Sequence, residues 1–260
     1  MLRQEWCAVT LAFAGAAVGC DVNGVNLGDF EASEPFAYEL PASNRSRFRL
    51  DGINGAVTVT GDVNATTISI EGERRVRSSS VADAEVHLAE LQVQVNESPD
   101  DVHVETIQPS NPEGRTYEVD YRIVLPGGFD VDIDNANGAI EVRFVAGDLV
   151  VDGVNGEVVL GDVSGDVGVR VVNGQIAADL DPIGTPAVRL GTVNGRIDLM
   201  VPATVSAVLT VQVVNGTIDI SNLTTTDVTR TANRLQATLG TGSGLIDLET
   251  INGAVHVLGR

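Results

Sequence analysis

Aliphatic and polar positions alternate in one short phrase that recurs through the C-terminal half of the chain: Val-Asn-Gly-x-(Ile/Val/Leu)-x-(Val/Leu/Ile). Glycines fall nine residues apart at Gly138, Gly147, Gly156, Gly165 and Gly174, and the register resumes at Gly195, Gly216, Gly244 and Gly253. The positions two and four residues beyond each glycine are apolar, from Ile140 and Val142 to Val255 and Val257. The position between them varies through Glu141, Gly168, Asp198, Asp219, Asp247 and His256. A period of two sends alternate side chains to opposite faces, so each phrase predicts a short β-strand with one buried face.

Asparagine precedes most of these glycines, at Asn137, Asn155, Asn173, Asn194, Asn215 and Asn252. Asn-Gly favours backbone of positive φ and marks a turn. Such a pair between alternating runs ordinarily signals a two-residue antiparallel hairpin. Hairpins in series need no constant spacing, whereas the first five asparagines recur after 18, 18, 21 and 21 residues. Two nine-residue rungs make one 18-residue coil, and the three added residues map to a loop near Pro182–Pro186 and Pro202–Thr204. The expected fold is therefore all-β: a β-solenoid, a parallel β-helix-like stack of about 18–21-residue coils. Asn137-Gly138, Asn155-Gly156, Asn173-Gly174, Asn194-Gly195, Asn215-Gly216 and Asn252-Gly253 would form its structural turn ladder. The polar run Asn222–Asn233 lengthens one interval and reads as a solvated excursion, or else a projecting contact loop.

An earlier copy, Ile53-Asn-Gly-Ala-Val-Thr-Val59, fits the same register. After it, Ser80-Val-Ala-Asp83 reads as a capping box that opens a short helix through about Leu91. Alternating stretches follow at Leu91–Val95, Val102–Ile107 and Tyr117–Leu125. Residues 36–125 are expected to form an N-terminal strand-plus-short-helix cap, since a bare stack end exposes strand edges and apolar interior. The regular region begins at about residue 129.

Composition narrows the functional classes. Only 4% of the 260 residues are aromatic, which suits thin coils that cannot hold large rings. The formal charge is −20. Such a surface repels phosphate backbones and anionic headgroups, so no nucleic-acid partner is expected. Arg45, Arg47 and Arg49 alternate with inward Phe48 and Leu50 and read as the wet face of a strand rather than an anion site.

At the N-terminus Arg3 precedes an apolar run, Ala8–Val18, too short to span a bilayer. Residues 1–19 read as an export signal. Ala17-Val-Gly-Cys20 resembles the bacterial lipobox, with Ala17 where leucine is usual and Glu5 weakening the positive start. The alternatives are an ordinary signal peptide or a misplaced start site. The resemblance implies a lipid on Cys20, with residues 20–35 as a lipidated tether of roughly 20 Å reach. Removing Cys7 with the signal leaves Cys20 without an intramolecular disulfide partner.

The Val-Asn-Gly phrases, the strand Tyr121–Pro126 leading into Phe129–Asp134, and the closing Gly240–Gly253 together resemble the bacterial putative-adhesin family of β-strand-repeat envelope proteins, a domain of unknown function. The resemblance covers about residues 36–260 and is strongest after Tyr117. It implies a cell-envelope location outside the cytoplasm and adhesion as one role. It supplies no catalytic residue.

Candidate chemistry is sparse. A calcium-repeat motif needs a double glycine, and the Asn155 rung has Leu160 where a ligand aspartate should stand. Asp130, Asp132 and Asp134, with Glu141 at the twelfth place, have the spacing of a calcium loop, but Asn135 replaces its glycine; a solvated acidic face fits better. His87, His103 and His256 match no metalloenzyme spacing, and there is no nucleophile elbow. Asp198, Asp219 and Asp247 share one repeat position and could form an outward carboxylate column of the kind glycosidic chemistry uses. Val150 and Val159 break the outward polar rule in consecutive rungs, and residues 36–125 or a partner would cover them.

The sequence thus predicts a non-enzymatic, envelope-anchored lipoprotein with no cofactor and no metal. Its rigid surface would serve adhesion or bind an envelope protein or polysaccharide. The alternatives are a carbohydrate-active β-solenoid enzyme using the aspartate column and a sensor or regulatory envelope lipoprotein.

Overall fold

The computed structural model describes residues 30–260; Cys20 and residues 1–29 lie outside the described residues. Strands β1 (Phe30–Pro41), β2 (Arg47–Asn54), β3 (Val57–Asp62) and β4 (Thr67–Ser78) precede helix α1 (Val81–Leu88). After it come β5 (Gln92–Glu97), β6 (Asp101–Ile107) and β7 (Thr116–Pro126). The repeat region supplies β8 (Asp130–Asn137), β9 (Ile140–Arg143), β10 (Leu149–Asn155), β11 (Val158–Val163), β12 (Val167–Asn173), β13 (Ile176–Leu180), β14 (Ala187–Asn194) and β15 (Ile197–Val201). The chain finishes with β16 (Ala207–Asn215), β17 (Ile218–Ser221), β18 (Thr225–Arg230), β19 (Arg234–Leu239), β20 (Gly244–Asn252) and β21 (Val255–Gly259).

These strands form two large mixed sheets, neither of them closed. Sheet I has ten strands in the order β1-β4-β7-β3-β9-β11-β13-β15-β21-β17; sheet II has eleven, in the order β18-β19-β16-β20-β14-β12-β10-β8-β2-β6-β5. Each Asn-Gly phrase is a corner: the strand before it lies in sheet II and the strand after it in sheet I. Neighbouring phrases therefore pair in parallel, with Leu149 opposite Val167 and Val158 opposite Ile176, and not as hairpins. Aliphatic side chains such as Val142, Leu160, Val169 and Ile197 fill the space between the sheets with almost no exposure. The large buried rings, Phe48, Tyr117, Tyr121 and Phe129, gather at the N-terminal end.

Five features depart from the sequence reading. Strands β2 and β3 are not part of a cap but a rung of the stack, paired in parallel with β8 and β9. The additions beyond them are β6 and β5 in sheet II, and β7, β4 and β1 in sheet I. Residues 30–35, assigned to the tether, belong to β1, where Glu31 pairs with Arg77 at 2.9 Å and Glu34 with Arg74. Helix α1 ends at Leu88, three residues early; Ser80 caps it by accepting the Asp83 N–H at 3.1 Å, and the Asp83 carboxylate binds Arg115 instead of closing the box.

The run Asn222–Asn233 is no simple excursion. Much of it forms β18, and β19 follows at once, antiparallel to both β18 and β16. Leu235, Ala237 and Leu239 of β19 are buried, and this alternation draws the segment into sheet II. Most consequentially, β20 and β21 do not follow β16 and β17 in space. They are inserted between that pair and β14 and β15.

Candidate functional site

The asparagines before the corners converge in one line. Asn137 donates its amide to Asn54 at 2.8 Å, Asn155 to Asn137 at 2.7 Å, and Asn173 to Asn155 at 2.8 Å. The line continues from Asn194 to Asn173 at 2.8 Å, Asn252 to Asn194 at 2.7 Å, and Asn215 to Asn252 at 2.9 Å. Asn54 ends it by donating to the Tyr117 carbonyl at 2.9 Å. Backbone bonds run alongside, as Gly156 N–H to the Asn173 carbonyl at 3.0 Å.

The glycines Gly138, Gly156, Gly174, Gly195, Gly253 and Gly216 stack backbone against backbone. A Cβ on Gly174 would lie 1.7 Å from the Gly156 carbonyl oxygen, which no side chain tolerates. Gly138 and Gly156 also hold positive φ, at 135° and 154°. Thr192 and Thr250 donate across the same corner to the Gly174 and Gly195 carbonyls, each at 3.0 Å.

The entry to sheet II is tied differently. The Asp130 carboxylate accepts the Asp148 N–H at 3.0 Å, Asp148 accepts from Asp166 at 3.1 Å, and Asp166 accepts from Ala187 at 2.9 Å. Asp132 and Asp134 face outward from sheet II, whereas Glu141 lies on sheet I and binds Arg143. The four residues that suggested a calcium loop are therefore split between two sheets. Desolvation, and then neighbouring carboxylates, raise both Asp132 (Asp152) and Asp134 (Asp51, then Asp152) from their ordinary carboxylate value. Among the described residues no cluster of three His, Cys, Asp or Glu side chains is placed to hold a metal.

The supposed aspartate column is also broken. Asp198 and Asp219 do lie on the outer face of sheet I, but Asp247 is on sheet II, between Arg189 and Thr210. The nine-residue rungs alternate between sheets, so an equal repeat position does not mean an equal face. His256 stands between Asp198 and Asp219, opposite both in register. Its Nδ1 is 2.9 Å from one Asp198 oxygen, and Arg196 holds the other at 2.6 Å. Two strand steps part the aspartate backbones by about 10 Å. With both Asp198 oxygens occupied and Asp247 on the opposite sheet, the polysaccharide-cleaving reading loses its assembled carboxylates.

These residues border a shallow hollow of about 590 Å³ on sheet I. Val159, Ala177, Met200 and Leu258 provide apolar lining, and Asp162, Asp179, Asp219, His256 and Arg143 are the polar residues around them. Arg260 at the C-terminus ties Asp179 at 2.8 Å and Asp181 at 2.7 Å. Val159 belongs to this hollow, while Val150 is 44% exposed on sheet II, so the two valines do not form one apolar strip and residues 36–125 do not cover them both.

The remaining candidates have local partners. His103 is 2.8 Å from Asp51, and His87 Nδ1 is 2.8 Å from the Asp83 carbonyl. Arg45 binds Glu97 at 2.5 Å, and Arg49 binds Asp101 at 2.6 Å.

The placement of His256 between two aspartates was missed in the sequence because it follows from the inserted β21. One signal did exist. Thr192–Gly195 and Thr250–Gly253 alone among the phrases carry Thr two residues before Asn, and these two corners stack directly.

The sequence matches no family model and no curated relative. Among solved structures, the chain is similar to one described as a putative cell adhesion protein from Clostridium sporogenes, with a TM-score of 0.53 and 12% identity over 88% of this chain and 100% of that one. A putative adhesin from Parabacteroides merdae covers 88% of this chain and 96% of its own at 9% identity, but with a TM-score of only 0.23. A putative lipid binding protein from Parabacteroides distasonis covers 87% and 96% at 9% identity, with a TM-score of 0.24. The first of these similarities shows a shared all-β fold.

Proposed function

We propose that this chain is a non-enzymatic envelope protein that presents a rigid, outward-facing surface for adhesion or for an envelope partner, protein or polysaccharide. The parallel rungs act as coils of a solenoid, and a lipid on Cys20 tethers them outside the cytoplasm. The observation that carries the reading is the hollow on sheet I, whose apolar lining and polar surroundings are set out on rungs locked to one another at every Asn-Gly corner. Shallow, mixed surfaces of this kind suit contact with a macromolecule. The fold shared with a chain described as a cell adhesion protein supports it, as does membership of the putative-adhesin family, which the repeat phrases suggest. Among the described residues no helix is long and apolar enough to cross a membrane.

The test is recovery of bound partners from native membranes with the full chain, with Ala177→Arg/Leu258→Arg, and with Cys20→Ser. The hollow variant should lose the partner while keeping its circular dichroism spectrum. The serine variant should leave the membrane fraction. A partner recovered equally well by the hollow variant would refute the assignment of that face, and a membrane-bound serine variant would refute the anchor.

A further inference from the structure

The residue just before each corner asparagine is aliphatic in most rungs, and the register stacks these residues in one line: Val154, Val172, Val193, Ile251 and Val214. They are not buried. Val154 is 44% exposed, Val172 40%, Ile251 39% and Val214 56%, so the line is a continuous apolar ridge rather than a set of isolated side chains. Beside it on sheet II runs a groove of about 510 Å³, deepened where Gly153 and Gly191 carry no side chain. Its far wall is the outward row Asp134, Asp152, Arg170 and Glu249. Asp134, Asp152 and Glu249 form no ion pair among the described residues; Asp134 is exposed and also faces the charges of Asp51, Asp152 and Asp132.

We propose that this ridge and groove dock a basic amphipathic helix of a partner protein, its apolar stripe on the valines and its cationic flank against Asp134, Asp152 and Glu249. Spacing selects the helix. Parallel strands lie about 4.8 Å apart, so five rungs span about 19 Å, against about 5.4 Å per helical turn. Four turns thus stay within a few ångströms of the ridge along its whole length. An extended strand lying along the ridge repeats one face every ~6.7 Å and falls out of step after two rungs. Charge selects the sign. A second copy of this chain brings its own net charge of −20 and is repelled, as are anionic membrane surfaces. The row carries three carboxylates against the single cation of Arg170, so a basic helix supplies the balancing charge, and helix-in-groove recognition uses apolar anchors at this periodicity.

The inference rests on the surface-binding reading but uses a different face from the hollow, so the two can fail separately. The probe is a fluorescein-labelled peptide of about 18 residues, with leucine at i, i+4, i+7 and i+11 and lysine on one flank, titrated into the full-length chain in neutral detergent. It should bind and gain helical dichroism. A scrambled peptide of equal composition should bind about tenfold more weakly, because charge alone remains. Val172→Asp/Ile251→Asp should weaken binding about tenfold or more, and Asp134→Asn/Asp152→Asn should flatten its salt dependence. Val172→Ser, which keeps the ridge neutral and small, checks that the loss is not unfolding and should give an intermediate affinity. Equal binding of the scrambled peptide, undiminished binding by Val172→Asp/Ile251→Asp, or loss of binding through Leu258→Arg in the hollow on sheet I would each overturn the proposal. That last result would leave the surface-binding reading standing.

Discussion

Asn173 is the most direct test of what holds the rungs together. Its amide donates to Asn155 at 2.8 Å and its oxygen accepts from Asn194 at 2.8 Å, so Asn173→Ala removes two side-chain hydrogen bonds. Each is worth about 0.5–1.5 kcal/mol net, and because the corner is solvent-exposed, water replaces part of each. The expected loss is about 1–2 kcal/mol. Asn215, at the end of the line, makes only its bond to Asn252, so Asn215→Ala should cost about half as much. Asn173→Asp sharpens the test. Its carboxylate still accepts from Asn194 but sets an acceptor against the Asn155 oxygen, so ionisation is disfavoured in the folded state. The folded-state pKa of that introduced aspartate then lies above its unfolded value, and stability should be recovered as pH falls and lost as it rises. Urea unfolding followed by far-ultraviolet circular dichroism gives midpoints and slopes; a changed slope would mark loss of all-or-none unfolding in a stacked array. Equal costs for Asn173→Ala and Asn215→Ala, or an Asn173→Asp variant indifferent to pH, would refute the idea that the amides act as a connected line.

Gly174→Ala should destabilise by at least about 3 kcal/mol, because its Cβ would meet the Gly156 carbonyl oxygen at 1.7 Å and backbone cannot move aside cheaply, whereas Gly128→Ala, with nothing within 4 Å, should be near neutral by the same unfolding assay. Asp134→Asn should stabilise slightly at neutral pH, by less than about 1 kcal/mol given its exposure. Desolvation and the nearby carboxylates raise the Asp134 pKa, so its contribution is intact at acid pH and lost as pH rises through its folded value; the variant's advantage should therefore vanish on acidification in paired pH-dependent melts.

Much of this architecture was legible because the governing interactions are local and periodic. The alternation around Gly138, Gly156 and Gly174 fixes which side chains enter the interior, and the 18-residue interval matches the register that joins β10 to β12 and β11 to β13. The cap of α1 was legible for the same reason, since Ser80 and Asp83 meet within one turn. What the pattern does not carry is which sheet a rung belongs to. Asp198 and Asp247 occupy the same place in the phrase and face opposite sides of the molecule, because successive rungs alternate sheets and the excursion through β18 and β19 shifts the count. Nor does it carry spatial order. A parallel rung offers the same backbone groups on both edges, so any phrase of matching length can sit between any two others. At the corner of the inserted rung, Thr250 reaches the Gly195 carbonyl as Thr192 reaches that of Gly174. The last rung lies beside β14 and β15, with β17 at the edge of sheet I and β16 flanked by β20 and β19 in sheet II. The same insertion brings His256 between Asp198 and Asp219, places Leu258 in the hollow, and sets Ile251 between Val193 and Val214 on the ridge. Both candidate surfaces are therefore completed by the last residues of the chain, and neither exists in the order in which the phrases are written.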